Sequence, residues 1–426
     1  MIEWYDNLPE NWEETRLGWY ADVFTGDTFN SDYFNTEEGP KVARIRHVPD
    51  GDSTTHYSGE IPDGFWISDG DVLIGMDGNF HVGIWEGGDA LLNQRVACIR
   101  QDSVYNSQFL SYVLPKPVKM LNDLTRSTTV KHLSIKDLRK LKIPLPPKET
   151  IDSITRYLNR EVGKIDNLIE KKKSYKELLH EKRNTLVNSL VTRGTSEEAE
   201  YKSIEVEWIG RVPKHWDVVR TRFVANLHSG HTPDRSNDEY WEDTDIPWVT
   251  TSDIKPFREG RKRYLHETEN QISELGMENS GAHLLPEGTV FLSRTASVGF
   301  SGIMGQPMAT SQDFANWVCG DEIIPEYLLY VFRSMDQEFE RLMQGSTHQT
   351  IYMPDIKSFK TPLPPLEEQR EIVEHIETET ERLWELIDRV DETIDLLEEK
   401  RQALITAAVT GQIDISKEKG VIQGDD

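Results

Sequence analysis

The strongest constraint on this chain is a phrase that it uses twice. "IPLPPKETIDSITRYL" begins at Ile143 and "TPLPPLEEQREIVEHI" begins at Thr361. In each, a proline cluster runs straight into a long amphipathic stretch. Proline fixes φ, removes a backbone donor and keeps its preceding residue extended, so a globular segment ends there and a helix starts cleanly beyond. The duplication reaches much further. "LPENWEETRLGWYADVFTGDTF" from Leu8 parallels "VPKHWDVVRTRFVANLHSGHTP" from Val212, and Pro9, Trp12, Gly26 and Thr28 meet Pro213, Trp216, Gly230 and Thr232 at an offset of 204. Later the offset is 218: Gly70 meets Gly288, Gln94 meets Gln312, and Thr192 meets Thr410. The change places 14 extra residues in the second copy, between Thr232 and Gly288. A repeat of about 200 residues is far longer than a solenoid unit. The chain is a tandem duplication of a whole module.

Each module has two parts. The first is rich in glycine and aromatic residues; "DVLIGM" and "TVFLSR" predict buried strands, and "EYLLYVFRSM" predicts a helix. The second is a heptad seam. Ile151, Leu158, Ile165, Leu179 and Leu186 keep a seven-residue register, with Ile154, Leu168 and Tyr175 beside it. Ile376, Leu383, Val390, Leu397 and Leu404 do the same, with Ile372 and Leu386 alongside. Some 40 residues at 1.5 Å rise predict a rod of about 60 Å. From Glu149 to Arg193 the net charge is +3, and from Glu367 to Arg401 it is -9. Opposite signs favour pairing of the two rods with each other. Because a whole globular domain separates them, an antiparallel pairing starts each rod beneath its own domain.

The predicted fold class is therefore α+β: two tandem mixed α/β domains joined by two long helices that form an antiparallel coiled coil, with pseudo-twofold symmetry. The expected domains are 1–147 and 201–365. The first spacer helix and linker occupy 148–200, the second spacer helix 366–415, and a polar tail 416–426.

Composition limits the function. Hydrophobic residues make up 37% of 426 and can bury real cores. No apolar run approaches the roughly 20 residues needed to span a bilayer, the acidic start is unlike a secretory signal, and Cys98 and Cys319 lack partners at metal-ligand spacing. The expectation is a cytoplasmic protein. Net charge is -26, which is unusual for a nucleic-acid binder. Residues 1–194 carry only -4 of it, however, and much of the remainder lies in the second rod.

Phosphate-loop, H-E-x-x-H, G-x-S-x-G and G-x-G-x-x-G signatures are missing, as is the NPP[YF] element of amino-methylating enzymes. No catalytic or metal-binding residue is assigned, and no cofactor is expected on this chain. Polar side chains do gather near glycine-rich turns. In the first module they are Arg44, Arg46, Gln94, Arg95, Thr128, Thr129 and Lys131. In the second they are Thr250, Ser252, Arg294, Thr295, Ser297, Gln312, Thr347, His348, Gln349 and Tyr352. Arg and Lys bridge guanine, Gln and Asn bridge adenine, and hydroxyls hold phosphates, so these are suitable contacts for duplex DNA. Equivalent stretches differ sharply, "NQR" facing "SQD" and "TTVKH" facing "STHQT". A common frame with different lining suits two domains that read two different sequences.

"TPLPPLEEQREIVEHI" followed by "IDLLEEKRQALITAAVTGQIDI" resembles the repeat of type I restriction–modification specificity subunits. The stretch from Trp216 through "SGHTP", "GTVFLSRTASVG" and "GSTHQTIYMPDIKSFKTPLPP" is similar to that family's target-recognition domains. The first copy departs from it: Lys148 and Thr150 interrupt the usual Leu-x-Glu-Gln, and "GDTF" lacks the Thr-Pro of Thr232-Pro233. The resemblance implies a non-enzymatic subunit that binds double-stranded DNA, each domain reading half of a split site. It also implies partners: two methyltransferase subunits using S-adenosylmethionine, and motor-nuclease subunits using ATP and Mg. The rival reading, a coiled-coil scaffold that binds only proteins, accounts for the helices and the acidity but not for the divergent polar loops.

Overall fold

The computed structural model describes residues 4–124, 132–343 and 350–413, apart from 62, 102, 197 and 296, together with 415. The chain divides into two compact units, one of residues 1–172 and 392–426, the other of residues 173–391. Each unit therefore holds one globular part and a portion of each long helix.

In the first unit an antiparallel sheet runs in the order Asp22–Thr25, Val96–Arg100, Val72–Gly75 and Val82–Ile84. In the second the order is Ala225–Ser229, Phe314–Cys319, Val290–Ser293 and Ser301–Met304, with Tyr264–Leu265 added at the edge. The registers repeat at the sequence offsets. Cys98 faces Phe24 and Leu73, and Asn316 faces His228 and Phe291. Each unit also has a second sheet built on a parallel pair, five-stranded around Lys41–Ala43 with Ala90–Leu92 in the first and three-stranded around Ile246–Val249 with Ala309–Thr310 in the second. The pairs "DVLIGM"/"TVFLSR" do form buried strands, and "EYLLYVFRSM" supplies the helix Pro325–Arg333.

The proline phrase is a strand that becomes a helix. Lys142–Leu145 pairs with Glu13–Arg16, and Lys360–Leu363 pairs with Asp217–Arg220. Two-stranded ribbons leave every strand at an edge, where proline's missing donor does no harm. The first long helix then spans Lys148–Arg193 and the second Leu366–Val409. Inside the second unit Lys176 meets Asp391 at 2.6 Å, while His180 and Arg183 lie against Trp384. Numbers rise on one helix as they fall on the other, so the pairing is antiparallel. Inside the first unit Arg401 reaches Asp166 at 2.7 Å, and Ile405, Ala408 and Val409 share a core with Ile151, Ile154 and Leu158. The basic and acidic helices are thus joined in part by a pair of reversed sign.

The helical seam differs in detail from a strict heptad. Ile151, Leu158, Ile165, Leu179, Ile376, Leu383 and Val390 are buried, whereas Leu186, Leu397 and Leu404 are only half-buried. Leu168, Tyr175 and Leu386, expected at the seam, are exposed. Val162, Ile169, Val187, Ile387 and Ile405 are buried instead. The run 151, 154, 158, 162, 165, 169 advances at the 3.6 residues per turn of a straight helix, and a seven-residue pattern drifts about 20° per heptad against it. The true seam walks off the predicted one.

Gln369 fixes the start of the second helix. Fully buried, it accepts from the Ile324 N–H at 3.0 Å and donates to the carbonyls of Glu322 at 2.8 Å and Pro364 at 2.9 Å. The equivalent position in the first copy is Ile151, equally enclosed but apolar. Gln369→Leu strands one donor, the Ile324 N–H, and two carbonyl acceptors, so it should cost about 2–4 kcal/mol. The urea midpoint of the full chain measures this, and an unchanged midpoint would contradict it.

Candidate nucleic-acid interface

Five stretches of chain converge at the end of each parallel strand pair, clasped by main-chain hydrogen bonds. In the first unit the Asp27 N–H donates to Leu92 O at 3.0 Å and Asn93 N–H to Ala43 O at 3.1 Å. Met76 N–H donates to Arg95 O at 2.9 Å, and Leu133 N–H to Met76 O at 2.8 Å. The second unit repeats all four: His231 to Thr310 O at 3.0 Å, Ser311 to Val249 O at 2.9 Å, Arg294 to Asp313 O at 2.9 Å, and Ile351 to Arg294 O at 2.9 Å. Gly26 and Gly230 make this approach possible. A methyl group at Gly26 would overlap the Leu92 carbonyl, and one at Gly230 would overlap Thr310 and the Ser311 carbonyl.

One side-chain bond is also shared. Thr28 Oγ1 donates to Gln94 Oε1 at 3.0 Å, and Thr232 Oγ1 donates to Gln312 Oε1. Both glutamines are exposed. The threonine engages the amide oxygen by one lone pair, and among the described residues the NH2 group of neither glutamine has a hydrogen-bond partner. An amide oxygen and an NH2 group are the two functions that a glutamine needs for bidentate pairing with adenine N6 and N7.

Around this frame the lining differs. Arg95 lies 3.0 Å from Asp77, which also meets His132 Nδ1 at 2.8 Å, and the Arg95 side chain keeps 64% exposure. At the matching places of the second unit stand Asp313 and Thr295, joined by a 2.6 Å bond from the Thr295 hydroxyl. A cation at the first site is thus replaced by an anion at the second. Asp313 also accepts from Ser311 Oγ at 3.0 Å, and Arg294 Nε donates to Gln312 O at 2.9 Å. The turns after the first strand of each pair are equivalent as well. Arg44 N lies 3.2 Å from His47 Nδ1, and Thr250 N–H donates to Asp253 Oδ2 at 2.7 Å. Thr250 Oγ1 and Ser252 Oγ are 2.7 Å apart.

Gln94, Arg95 and Arg44 in the first unit, and Thr250, Ser252, Arg294, Thr295 and Gln312 in the second, therefore sit on or beside the clasped loops. Ser297 follows on the Thr295 turn, with its N–H 2.5 Å from Thr295 O, and Tyr352 is 57% exposed next to Ile351. Arg46 is exposed, and its guanidinium is held by two bonds, from Nε to His47 Nε2 at 3.0 Å and from Nη2 to Thr55 Oγ1 at 2.7 Å. Arg44 lies over the Phe34 ring at 4.8 Å, and burial, with Arg46 nearby, lowers its pKa. Burial, reinforced by Arg46, likewise pushes the His47 imidazole below its usual range, which favours a neutral structural ring. Thr128, Thr129, Lys131, Thr347, His348 and Gln349 lie outside the described residues. Sequence reading missed Asp77, Asp313 and the clamping role of Thr28 and Thr232. The shared Thr and Gln at their two offsets were the available signal.

Comparison with known proteins places this frame. Residues 9–179 and 213–406 match the type I restriction modification DNA specificity domain, once per module. A similar protein is the EcoBI type I restriction enzyme specificity subunit of Escherichia coli, 26% identical over 96% of this chain and 87% of its own length. The MjaVIII specificity subunit of Methanocaldococcus jannaschii is 24% identical over 95% of this chain and 94% of its own. A chain solved in work on complex assembly and conformational transition of the type I R-M system has a TM-score of 0.65 at 20% identity. It covers 96% of this chain and 100% of itself, a likeness of fold. With both modules matched, the chain belongs to the family of type I restriction–modification DNA specificity proteins.

Proposed function

We propose that this chain is the sequence-specificity subunit of a type I restriction–modification complex and performs no covalent chemistry itself. Each globular part reads one half of a split DNA site in the major groove. The antiparallel helices set the gap and present a docking surface to two methyltransferase subunits, which supply S-adenosylmethionine-dependent adenine methylation. Motor-nuclease subunits, where present, supply ATP- and Mg-dependent cleavage. The observation that carries this reading is the duplicated clasp. One backbone frame holds the same exposed glutamine twice, while the neighbouring position changes from Arg95 to Asp313. A protein-binding scaffold has no need to keep the frame and reverse the charge. The chain's acidity fits too, because much of it lies on the second long helix, which faces protein in this arrangement, and partner subunits share in neutralising phosphate.

Gln94→Ala and Gln312→Ala, each made separately in the complex with its methyltransferase, test the reading. Losing one base contact should weaken recognition by about 1–3 kcal/mol, roughly 5- to 150-fold, at one position of the site. Sequencing of methylated adenines should show Gln94→Ala relaxing one half-site and Gln312→Ala the other. An unaltered motif in both variants would contradict the assignment.

A further inference from the structure

Within the second unit, five guanidinium groups line one cavity of about 230 Å³: Arg183, Arg258, Arg261, Arg263 and Arg333. That is unexpected in a chain of net charge -26. Arg258, Arg261 and Arg263 come from the stretch between Thr232 and Gly288 that carries the second module's 14 extra residues, Arg183 from the first long helix, and Arg333 from the helix Pro325–Arg333. Trp384, on the second long helix, forms part of the wall.

Two of the five are neutralised. Arg263 pairs with Glu377, and Arg261 pairs with Asp388 at 2.9 Å. Among the described residues, the other three meet no carboxylate at ion-pair distance. Arg333 donates to the carbonyls of Gly260 and Lys262, both at 2.6 Å. Arg183 donates to the Glu259 carbonyl and to Asn184 Oδ1, and lies 4.6 Å over the Trp384 ring. Arg258 stands 5.7 Å from the Phe300 ring centroid. Carbonyls and rings orient a guanidinium but do not cancel its charge. Asp336 and Glu381 also line the cavity; Glu381 lies 3.8 Å from Arg261, and burial raises the Asp336 pKa while Arg183 opposes the shift, so five guanidinium groups face three carboxylates. Burial pushes Arg333 down to about 10, and Arg183 and Arg263 act in the same direction. The cavity thus holds positive charge in excess.

We propose that this cavity binds a phosphate-bearing anion, either inorganic phosphate or the phosphate group of a nucleoside monophosphate. Planar guanidinium forks match tetrahedral oxyanions in bidentate geometry, better than ammonium groups do. The volume exceeds the roughly 30 Å³ share of a water molecule several-fold, so an oxyanion fits. Bound there, it ties the stretch between Thr232 and Gly288 to the first long helix through Arg258 and Arg183. The site does not depend on the proposed DNA-reading role.

Isothermal titration of the full chain, without DNA, with phosphate and with AMP at constant ionic strength set by chloride, tests the proposal. Saturable binding near one equivalent is expected, weakened at least about tenfold in Arg183→Gln and Arg258→Gln and unchanged in Lys214→Gln, remote from the cavity. Tighter binding of AMP assigns a monoester, and equal or weaker binding assigns free phosphate. Among the described residues the Arg258 side chain makes only a ring contact, so its variant keeps the test valid if Arg183→Gln unfolds. No saturable heat with either anion, or equal affinity in Arg258→Gln and the parent, would overturn the proposal.

Discussion

Deleting residues 173–179 together with 388–394 is expected to move methylation to sites whose gap is shorter by about three base pairs, with both half-site sequences unchanged. The two segments face each other through the Lys176–Asp391 pair. Seven residues shorten a helix by about 10 Å, and B-DNA rises 3.4 Å per base pair. Seven residues are also close to two helical turns, so the apolar seam re-forms with only a small rotation. The effect on any one site should be close to all-or-none, because a half-site displaced by several base pairs offers no partial contact. Methylation mapped in cells expressing the deletion variant with its methyltransferase gives the answer. A changed half-site sequence at the parental gap would contradict the division into readers and spacer.

Gly230→Ala is expected to be the most damaging single substitution in the second module. Its Cβ would overlap backbone and side-chain atoms of Thr310 and the Ser311 carbonyl. None of these is the far end of a flexible chain, so the loop carrying Thr232 must move away. Forced overpacking of this kind costs about 1–3 kcal/mol and occasionally more, a large share of the stability of an ordinary domain. The Thr232–Gln312 bond goes with it. Thermal unfolding should show the loss, and methylation should lose discrimination in one half-site only. Gly26→Ala should do the same to the other half through Leu92. Normal stability with an unaltered motif would show that the close approach is not required.

The repeat could be read from the sequence because glycines, tryptophans, prolines and glutamines recur at fixed offsets, each serving the same turn, core, edge or clamp in both modules. The offsets found among those residues are the offsets of the strand registers, from Thr15 facing Ile143 to Val219 facing Thr361. Other features could not be read. The helical seam drifted from a strict heptad along the helices, and at Val187 and Ile405 the helices also pack into the globular cores. Asp77 and Asp313 escaped a search for DNA-friendly side chains because they are acids, yet they orient the residues around them. The arginine-lined cavity joins Arg183 to Arg333, 150 positions apart, and nothing local in either segment announces the other.

The most direct test of the central claim is to co-express this chain with its methyltransferase partner in a host free of modification and map methylated adenines genome-wide. The account predicts one split, asymmetric motif with a fixed gap. A stable complex that methylates no defined motif, or a continuous one, would contradict it.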